Sequence, residues 1–391
     1  MNRPLQYSTA VFALLSSLFI VKPEASLKNN VCLPLNKSTE KTPKIQAAIL
    51  LDVSGSMNGL IEQAKSQLWN MVNVIDKVKC ENGLPKIEIA LYEYGNNTND
   101  EAAGYLKQIS AFTNDLNRLS NELNNLTTNG SEEYCGQVIY TSLLNLDWDT
   151  SAASYKVIFI AGNEDFLQGK ISYTKACNEA KKKGVIVNTI YCGDRNQGII
   201  NHWNLGAECG NGSFTNIDQN AKEKQIPTPY DSSIFLLNQK INRTYITYGI
   251  SGKESFEAFT QSDTVPMYDL KDVNKMVTYK VVKSNGRLFN NSAWDLVDAT
   301  EKDSSVINKV DMNTLADSLK SKSRDDLKQI LDTKIADRNV IRKQIAEMNA
   351  KRDAHIMAEK AKSATEYPKI LKTEIERIIR EQVKRFNMYI E

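Results

Sequence analysis

Ile45-Gln46-Ala47-Ala48-Ile49-Leu50-Leu51-Asp52-Val53-Ser54-Gly55-Ser56 is the stretch on which the fold turns. Ile45 to Leu51 is an apolar run of strand length without amphipathic alternation, the pattern of a strand buried on both faces of a sheet. It ends at Asp52, and Leu60 to Val78 follows with apolar residues at helical spacing (Leu60, Ala64, Leu68, Met71, Val72, Ile75). Working outward, Lys86 to Tyr92, Lys156 to Ile160, Val185 to Tyr191 and Gly212 to Ile217 read as strands. Leu116 to Leu126, Val138 to Leu146 and Tyr173 to Lys183 read as helices, the last closed by Gly184. Strand and helix alternate, so the expected class is α/β: a doubly wound, mostly parallel, Rossmann-like sheet, followed by a mainly helical C-terminal extension.

The 391 residues are 41% hydrophobic and 25% charged, enough to bury a core. Lys and Arg total 49 against 47 Asp and Glu, which provides no broad basic field and sets nucleic acid aside as a partner. The two histidines, His202 and His355, lack a second histidine at ligand spacing and read as surface or packing residues. There is no G-x-S-x-G elbow, no G-x-x-x-x-G-K-[ST] loop and no H-E-x-x-H, so an enzyme is not expected; a metal-dependent hydrolase would rest on acids alone.

Arg3, the apolar run Thr9 to Val21 and the small residues Ala25 and Ser26 after Pro23 read as a secretory signal peptide over residues 1–26. An uncleaved segment of this kind is the one route to a membrane that the sequence suggests, and a periplasmic or secreted location is expected. Residues 27–42 read as a linker, 43–221 as the α/β domain, 222–311 as a mixed, mainly helical extension and 312–391 as a C-terminal helical region. Within the extension, Thr244 to Tyr248 is β-rich, while Met276 to Val282 fits a strand by composition and a helix by context. Trp294 reads as a core anchor. Leu327, Leu331, Ile335, Ile341, Ile345 and Met348 form a stripe on a long helix ended by Pro368. Leu371, Ile375, Ile379, Val383, Phe386 and Ile390 share one face of a last amphipathic helix, which packs on the protein itself or meets a membrane surface or partner helix. Six cysteines and no C-x-x-C pair suit disulfides in an oxidising compartment, with fifteen pairings formally open.

At the end of the first strand, the carboxylate of Asp52 and the hydroxyls of Ser54 and Ser56 converge on the carboxyl edge of the sheet, where open α/β folds bind ligands. Oxygen groups at this spacing, with Gly55 permitting a tight turn, suit a hard divalent cation: Mg²⁺, or Ca²⁺ or Mn²⁺ in its place. Asp52-x-Ser54-x-Ser56 at a strand end resembles the metal-ion-dependent adhesion site of the von Willebrand factor A family. The resemblance covers about residues 43 to 221. It implies that Ser54 and Ser56 bind the metal directly and that Asp52 acts through water. In the second loop Asn129-Gly130-Ser131 stands where the family has a Thr after glycines, which implies Ser131 as a ligand. The third loop departs from the family: Gly162 stands at the aspartate's place in Ala161-Gly162-Asn163-Glu164-Asp165, so Asn163 or Glu164 substitutes, or water fills the position. Glu132, Glu133, Glu164 and Asp165 add negative charge that either helps hold the cation or is solvated.

The phrases Ser131 to Gly136, Ile158 to Glu164, Arg243 to Gly249 and Trp294 to Ala299 resemble an exported bacterial subgroup of that family. With the family's topology, the resemblance implies the pairs Cys135–Cys192, Cys32–Cys80 and Cys177–Cys209. It also implies binding as the output. Neutral hydroxyls leave a held cation most of its charge and an open position, which an Asp or Glu of an extracytoplasmic protein ligand fills. The alternatives are a degenerate site in which Asp52 and Ser54 only cap the next helix, and a structural envelope protein that self-associates through its helical tail.

Overall fold

The computed structural model describes residues 42–81, 83–217, 226–261, 273–285, 289, 291–362 and 371–390. The signal segment, Cys32 and Pro368 lie outside the described residues. Strands β1 (Lys44–Asp52), β2 (Val78–Cys80), β3 (Lys86–Tyr94), β4 (Leu106–Thr113), β5 (Tyr155–Gly162), β6 (Ile186–Cys192) and β7 (Asn211–Ile217) alternate with helices α1 (Ile61–Asp76), α2 (Leu116–Asn124), α3 (Cys135–Asn145), α4 (Tyr173–Lys183), α5 (Arg195–Ile200) and α6 (Trp203–Cys209). Six strands form one sheet in the order β4-β3-β1-β5-β6-β7, parallel throughout except for β4, which runs antiparallel to β3.

Burial explains the order. From Ile45 to Asp52 every residue of β1 is buried, and β5 and β6 are buried along their whole length. Uniformly apolar strands are stable only with both faces covered, so they occupy the middle of the sheet. One face carries Ile45, Ala47, Ile49 and Leu51 against α1 and α2; the other carries Ala48, Leu50, Ile158 and Ile160 against α3, α4 and α6. Strand β4 is not foreseen from the sequence. As an edge strand it exposes Lys107 and Gln108, and two register irregularities against β3 break its alternation. Ser172 caps α4 by accepting from Lys175 N, and Gly184 ends it at φ 66°, as its sequence suggests.

Beyond β7 the chain is helical, as expected: α7 (Asp231–Asn242), α8 (Gly252–Thr260), α9 (Val273–Ser284), α10 (Leu296–Lys302), α11 (Val306–Lys309), α12 (Asp317–Lys320), the 39-residue α13 (Arg324–Lys362) and α14 (Leu371–Val383). Met276 to Val282 is therefore helix. Thr244 to Tyr248 forms no named strand: it makes a single bridge, Thr247 to Asp295, and Ile246 N donates to the Asp295 carboxylate, whose other oxygen meets a buried guanidinium. That guanidinium belongs to Arg338, which is fully buried, donates to Asp295 (2.7 Å) and Thr244 (2.9 Å), and stacks over the Tyr245 ring at 4.4 Å. The stripe expected along α13 is thus partly polar: Leu327, Leu331 and Ile345 are buried, but so are Arg338, Asn349 and Arg352.

The last helix packs on the protein itself. Ile375, Ile379 and Val383 are buried in the same core as β1 and α1, and Gln382 Nε2 donates to Asn188 Oδ1 (2.7 Å) while its own carbonyl accepts from Tyr155 Oη (2.7 Å). Its expected apolar face ends at Val383. Phe386 sits in a 3₁₀ turn, and Ile390 belongs to β8 (Met388–Ile390), which pairs antiparallel with β2.

No disulfide is formed among the described residues: Cys80, Cys135, Cys177, Cys192 and Cys209 are free thiols. The Cys135–Cys192 pair is corrected accordingly: Cys135 Sγ lies instead 3.8 Å from the Tyr94 hydroxyl. Cys177 and Cys209 are neighbours but unbonded, and the Cys177 thiol is pushed up by burial and then by Cys209.

Candidate functional site

The site begins where β1 stops. Val53 N donates to Tyr94 O at the end of β3, Asn129 N donates to Val53 O, and Gly55 N donates to Gly130 O (2.8 Å), so the first loop is laced to β3 and to the second loop by backbone alone. Gly130 sits at φ 110°, and a Cβ there would lie 2.2 Å from Gly95 O. The loops meet this closely because position 130 carries no side chain.

Within that frame, Ser54 N donates to Asp52 Oδ1 (2.8 Å), Ser54 Oγ and Ser56 Oγ share a hydrogen bond (2.8 Å), and Ser56 Oγ donates to Asn163 Oδ1 (2.8 Å). Four of the six residues singled out in the sequence are therefore brought together: Asp52, Ser54, Ser56 and Asn163. Asp52 and Ser54 are fully buried while Ser56 is exposed, so the row of oxygens runs from the protein interior to solvent. Ser131 is exposed and follows Gly130, next to the first loop. Glu164 is half-buried; its backbone carbonyl accepts from Trp203 Nε1 (2.7 Å), and its carboxylate acts electrostatically on Glu133.

Two further residues complete the site: Glu133, one of the acids the sequence left as either cation-holding or solvated, and Tyr94, which the sequence did not single out. Glu133 is buried, in contrast to Glu132, which accepts from the Tyr134 hydroxyl. Tyr94 donates its hydroxyl to Ala161 O (3.0 Å) and borders Gly162. At Gly162 a Cβ would lie 2.5 Å from Tyr94 Oη and 2.9 Å from Asp52 Oδ2. Tyr94 and Asp52 thus occupy the space a side chain at 162 would need.

The third loop is held from outside. Phe166 N donates to Asn201 O, Asn201 Nδ2 to Asn163 O (3.3 Å), Trp203 Nε1 to Glu164 O, and His202 Nδ1 lies 3.0 Å from Asp165 Oδ1. Residues 201–203 thus clasp 163–166. His202 serves that clasp, and His355 packs edge-on to Tyr230.

Burial pushes the Asp52 carboxyl up to about 7, with Glu133 adding repulsion against the lowering effect of Ser54. Burial likewise raises Glu133, helped by Glu164. Asp52 Oδ2 and Glu133 Oε2 are both sealed from solvent without a hydrogen-bond partner. Orphaned carboxylate oxygens of this kind cost stability, and a positive ion beside them removes the cost. Among the described residues no group of three or more His, Cys, Asp and Glu side chains gathers to hold a metal. What gathers instead is two hydroxyls and an amide oxygen above two acids, an all-oxygen set that fits a hard divalent cation and not a thiolate- or imidazole-seeking one.

The sheet order, with its antiparallel edge strand and its Asp-x-Ser-x-Ser loop at the end of β1, gives the chain a von Willebrand factor A-like fold. No protein-family model and no curated protein matches the sequence. Among solved structures, it is similar to proximal thread matrix protein 1 from the mussel byssus with a zinc-occupied MIDAS motif (14% identity, 46% of this chain and 43% of that one, TM-score 0.34). It is similar also to the conserved hypothetical protein BatB from Bacteroides thetaiotaomicron (15%, 44% and 90%, 0.33) and to the SpRpn10 VWA domain (17%, 46% and 90%, 0.34). The chain thus spans less than half the length of the mussel protein.

Proposed function

We propose that this chain is an exported protein-binding module whose α/β domain engages an acidic side chain of an extracytoplasmic protein through a divalent cation. Ser54, Ser56 and Asn163 would hold the ion directly, Asp52 and Glu133 would balance its charge from below, and Ser131 and Glu164 would border the opening. When bound, the ion supplies a Lewis-acidic position with charge left over, because its nearest donors are neutral. The protein's part is to fix that position: three loops tied through backbone hydrogen bonds, a clasp at 201–203 and a buried base that excludes water. Nothing in this arrangement aims a nucleophile at a bond, so binding is the output. Mg²⁺, Ca²⁺ and Mn²⁺ all suit the donor set.

The observation that carries this reading is the pair of buried, partnerless carboxylate oxygens of Asp52 and Glu133, two residues gathered beside Ser54 at the base of the Ser54–Ser56–Asn163 row. Calorimetric titration with Mg²⁺, Mn²⁺ and Ca²⁺ tests it. At a hundredfold excess over Kd, a bound ion raises stability by about 2.7 kcal/mol, and Ser54→Ala should abolish that gain. No heat and no stabilisation at millimolar metal, or an unchanged response in Ser54→Ala, would remove the proposal.

A further inference from the structure

Two thiols meet where α4 packs on α6. Cys177 lies on the buried face of α4 with Ala176 and Ala180, and its Sγ is 3.9 Å from Gly206 O, one turn before Cys209 on α6. The Cys209 sulfur is within hydrogen-bond reach of the same thiol. They differ in access: Cys177 is buried and Cys209 half-buried. A Cβ at Gly206 would lie 2.3 Å from the Phe166 ring, so α6 sits against the third loop because position 206 carries no side chain. What the thiols would join is the clasp. Helix α4 follows the third loop through its cap Ser172, while α6 starts at Trp203, whose indole holds Glu164 O. Residues 201–203 therefore fall inside the segment from 177 to 209. Their contacts to 163–166 are hydrogen bonds and ring packing, none of them covalent.

We propose that Cys177 and Cys209 are a disulfide-forming site that takes a low-molecular-weight disulfide, R–S–S–R, as its oxidant and, once closed, holds the clasp on the third loop. Cys209, the accessible thiol, loses its proton and attacks one sulfur of R–S–S–R; the Cys209–S–S–R bond forms and RS⁻ leaves. Cys177 then loses its proton and attacks the Cys209 sulfur, the bond between the two cysteines forms and the second RS⁻ leaves. The cysteines together give up two electrons, R–S–S–R is reduced to two RSH, and the two cysteine protons end on them. Burial pushes the Cys177 thiol up, which suits it to act second, on a mixed disulfide already in reach; Lys181, one turn further along α4, works the other way and favours the thiolate. No step involves a metal, so the site is independent of the cation reading.

Non-reducing peptide mapping of the full chain, after equilibration with oxidised glutathione at about pH 8, tests the assignment. A Cys177–Cys209 cross-link is expected, reversed by dithiothreitol and unchanged by chelator. Cys177→Ser should stop the reaction at a glutathione adduct on Cys209, and Cys209→Ser, at the half-buried position, should leave Cys177 unmodified. Closing the loop from 177 to 209 should raise the folding equilibrium constant about a hundredfold or more. Hydrogen exchange at 163–166 and 201–206 should be slower in the cross-linked chain than in the reduced one, and Cys209→Ser should show neither change. Both thiols left free, glutathione retained on wild-type Cys209, or Cys209 joined to another cysteine would overturn the disulfide. A cross-link that leaves exchange at 163–166 unaltered would overturn its hold on the clasp.

Discussion

Asp52 stands under opposing demands. Its backbone position is the last of a fully buried strand, yet its carboxylate must be available at a sheet edge. In the metal-free protein the folded state holds its proton up to about pH 7, whereas the unfolded chain releases it near 3.8. The folded state then binds more protons between those values, so the stability it contributes is full below pH 3.8 and is lost as pH rises through 7. With chelator present, denaturant unfolding should show stability falling from pH 5 to pH 8, by up to about 2.6 kcal/mol, and Asp52→Asn should flatten the slope. A wild-type profile that rises over that interval would contradict the burial argument. Gly162 tests the same pocket sterically. Gly162→Ala should cost about 1–3 kcal/mol, and Tyr94→Phe should recover part of it by removing the hydroxyl that the new methyl meets. In a double-mutant cycle by urea unfolding, a coupling above about 0.5 kcal/mol is expected; strict additivity would show that Tyr94 is not what excludes the side chain. At this scale the sequence singled out Asp52, Ser54, Ser56 and Asn163, which the structure brings together, because motif and strand end coincide. It could not separate Glu133 from Glu132: adjacent acids in a loop look alike until the backbone turns one inward.

Among the elements, the strands in the middle of the sheet were the most legible, since β1, β5 and β6 carry uninterrupted apolar runs that only two-sided burial explains. The edge strand β4 was not legible. An edge needs neither an apolar run nor clean alternation, and Leu106-Lys107-Gln108-Ile109 has neither. The apolar periodicity of α14 was visible, but its partner was not, because a hydrophobic face does not name the surface it meets. The structure places that face on α1 and the sheet. Buried amide pairing then fixes its register: Gln382 is hydrogen-bonded to Asn188 and Tyr155, three polar side chains in an otherwise apolar layer. Gln382→Leu should leave Asn188 Nδ2 and the Tyr155 hydroxyl without partners, Asn188 Oδ1 keeping Ser213 N, and lower stability by about 1–3 kcal/mol in urea unfolding. A loss below about 0.3 kcal/mol would mean that the contact is incidental. The same burial bears on self-association through the tail: the apolar face of α14 is already used within the chain.

At the scale of the molecule, residues 42 onward form one compact unit. The face of the sheet covered by α1 is completed by α14, from the far end of the chain, so the helices α7 to α13 are in effect inserted between β7 and the last helix of the α/β layers. Arg338 and Arg352, buried against Asp295 and Asp231, lock α13 onto α10 and α7. The candidate cation site is held through backbone hydrogen bonds and is short of positive charge at its base. Anomalous diffraction from crystals of the full chain soaked in Mn²⁺ addresses that shortage directly. A peak bounded by Ser54 Oγ, Ser56 Oγ and Asn163 Oδ1 is the predicted result; density there that refines as water alone, at millimolar Mn²⁺ and neutral pH, would contradict it.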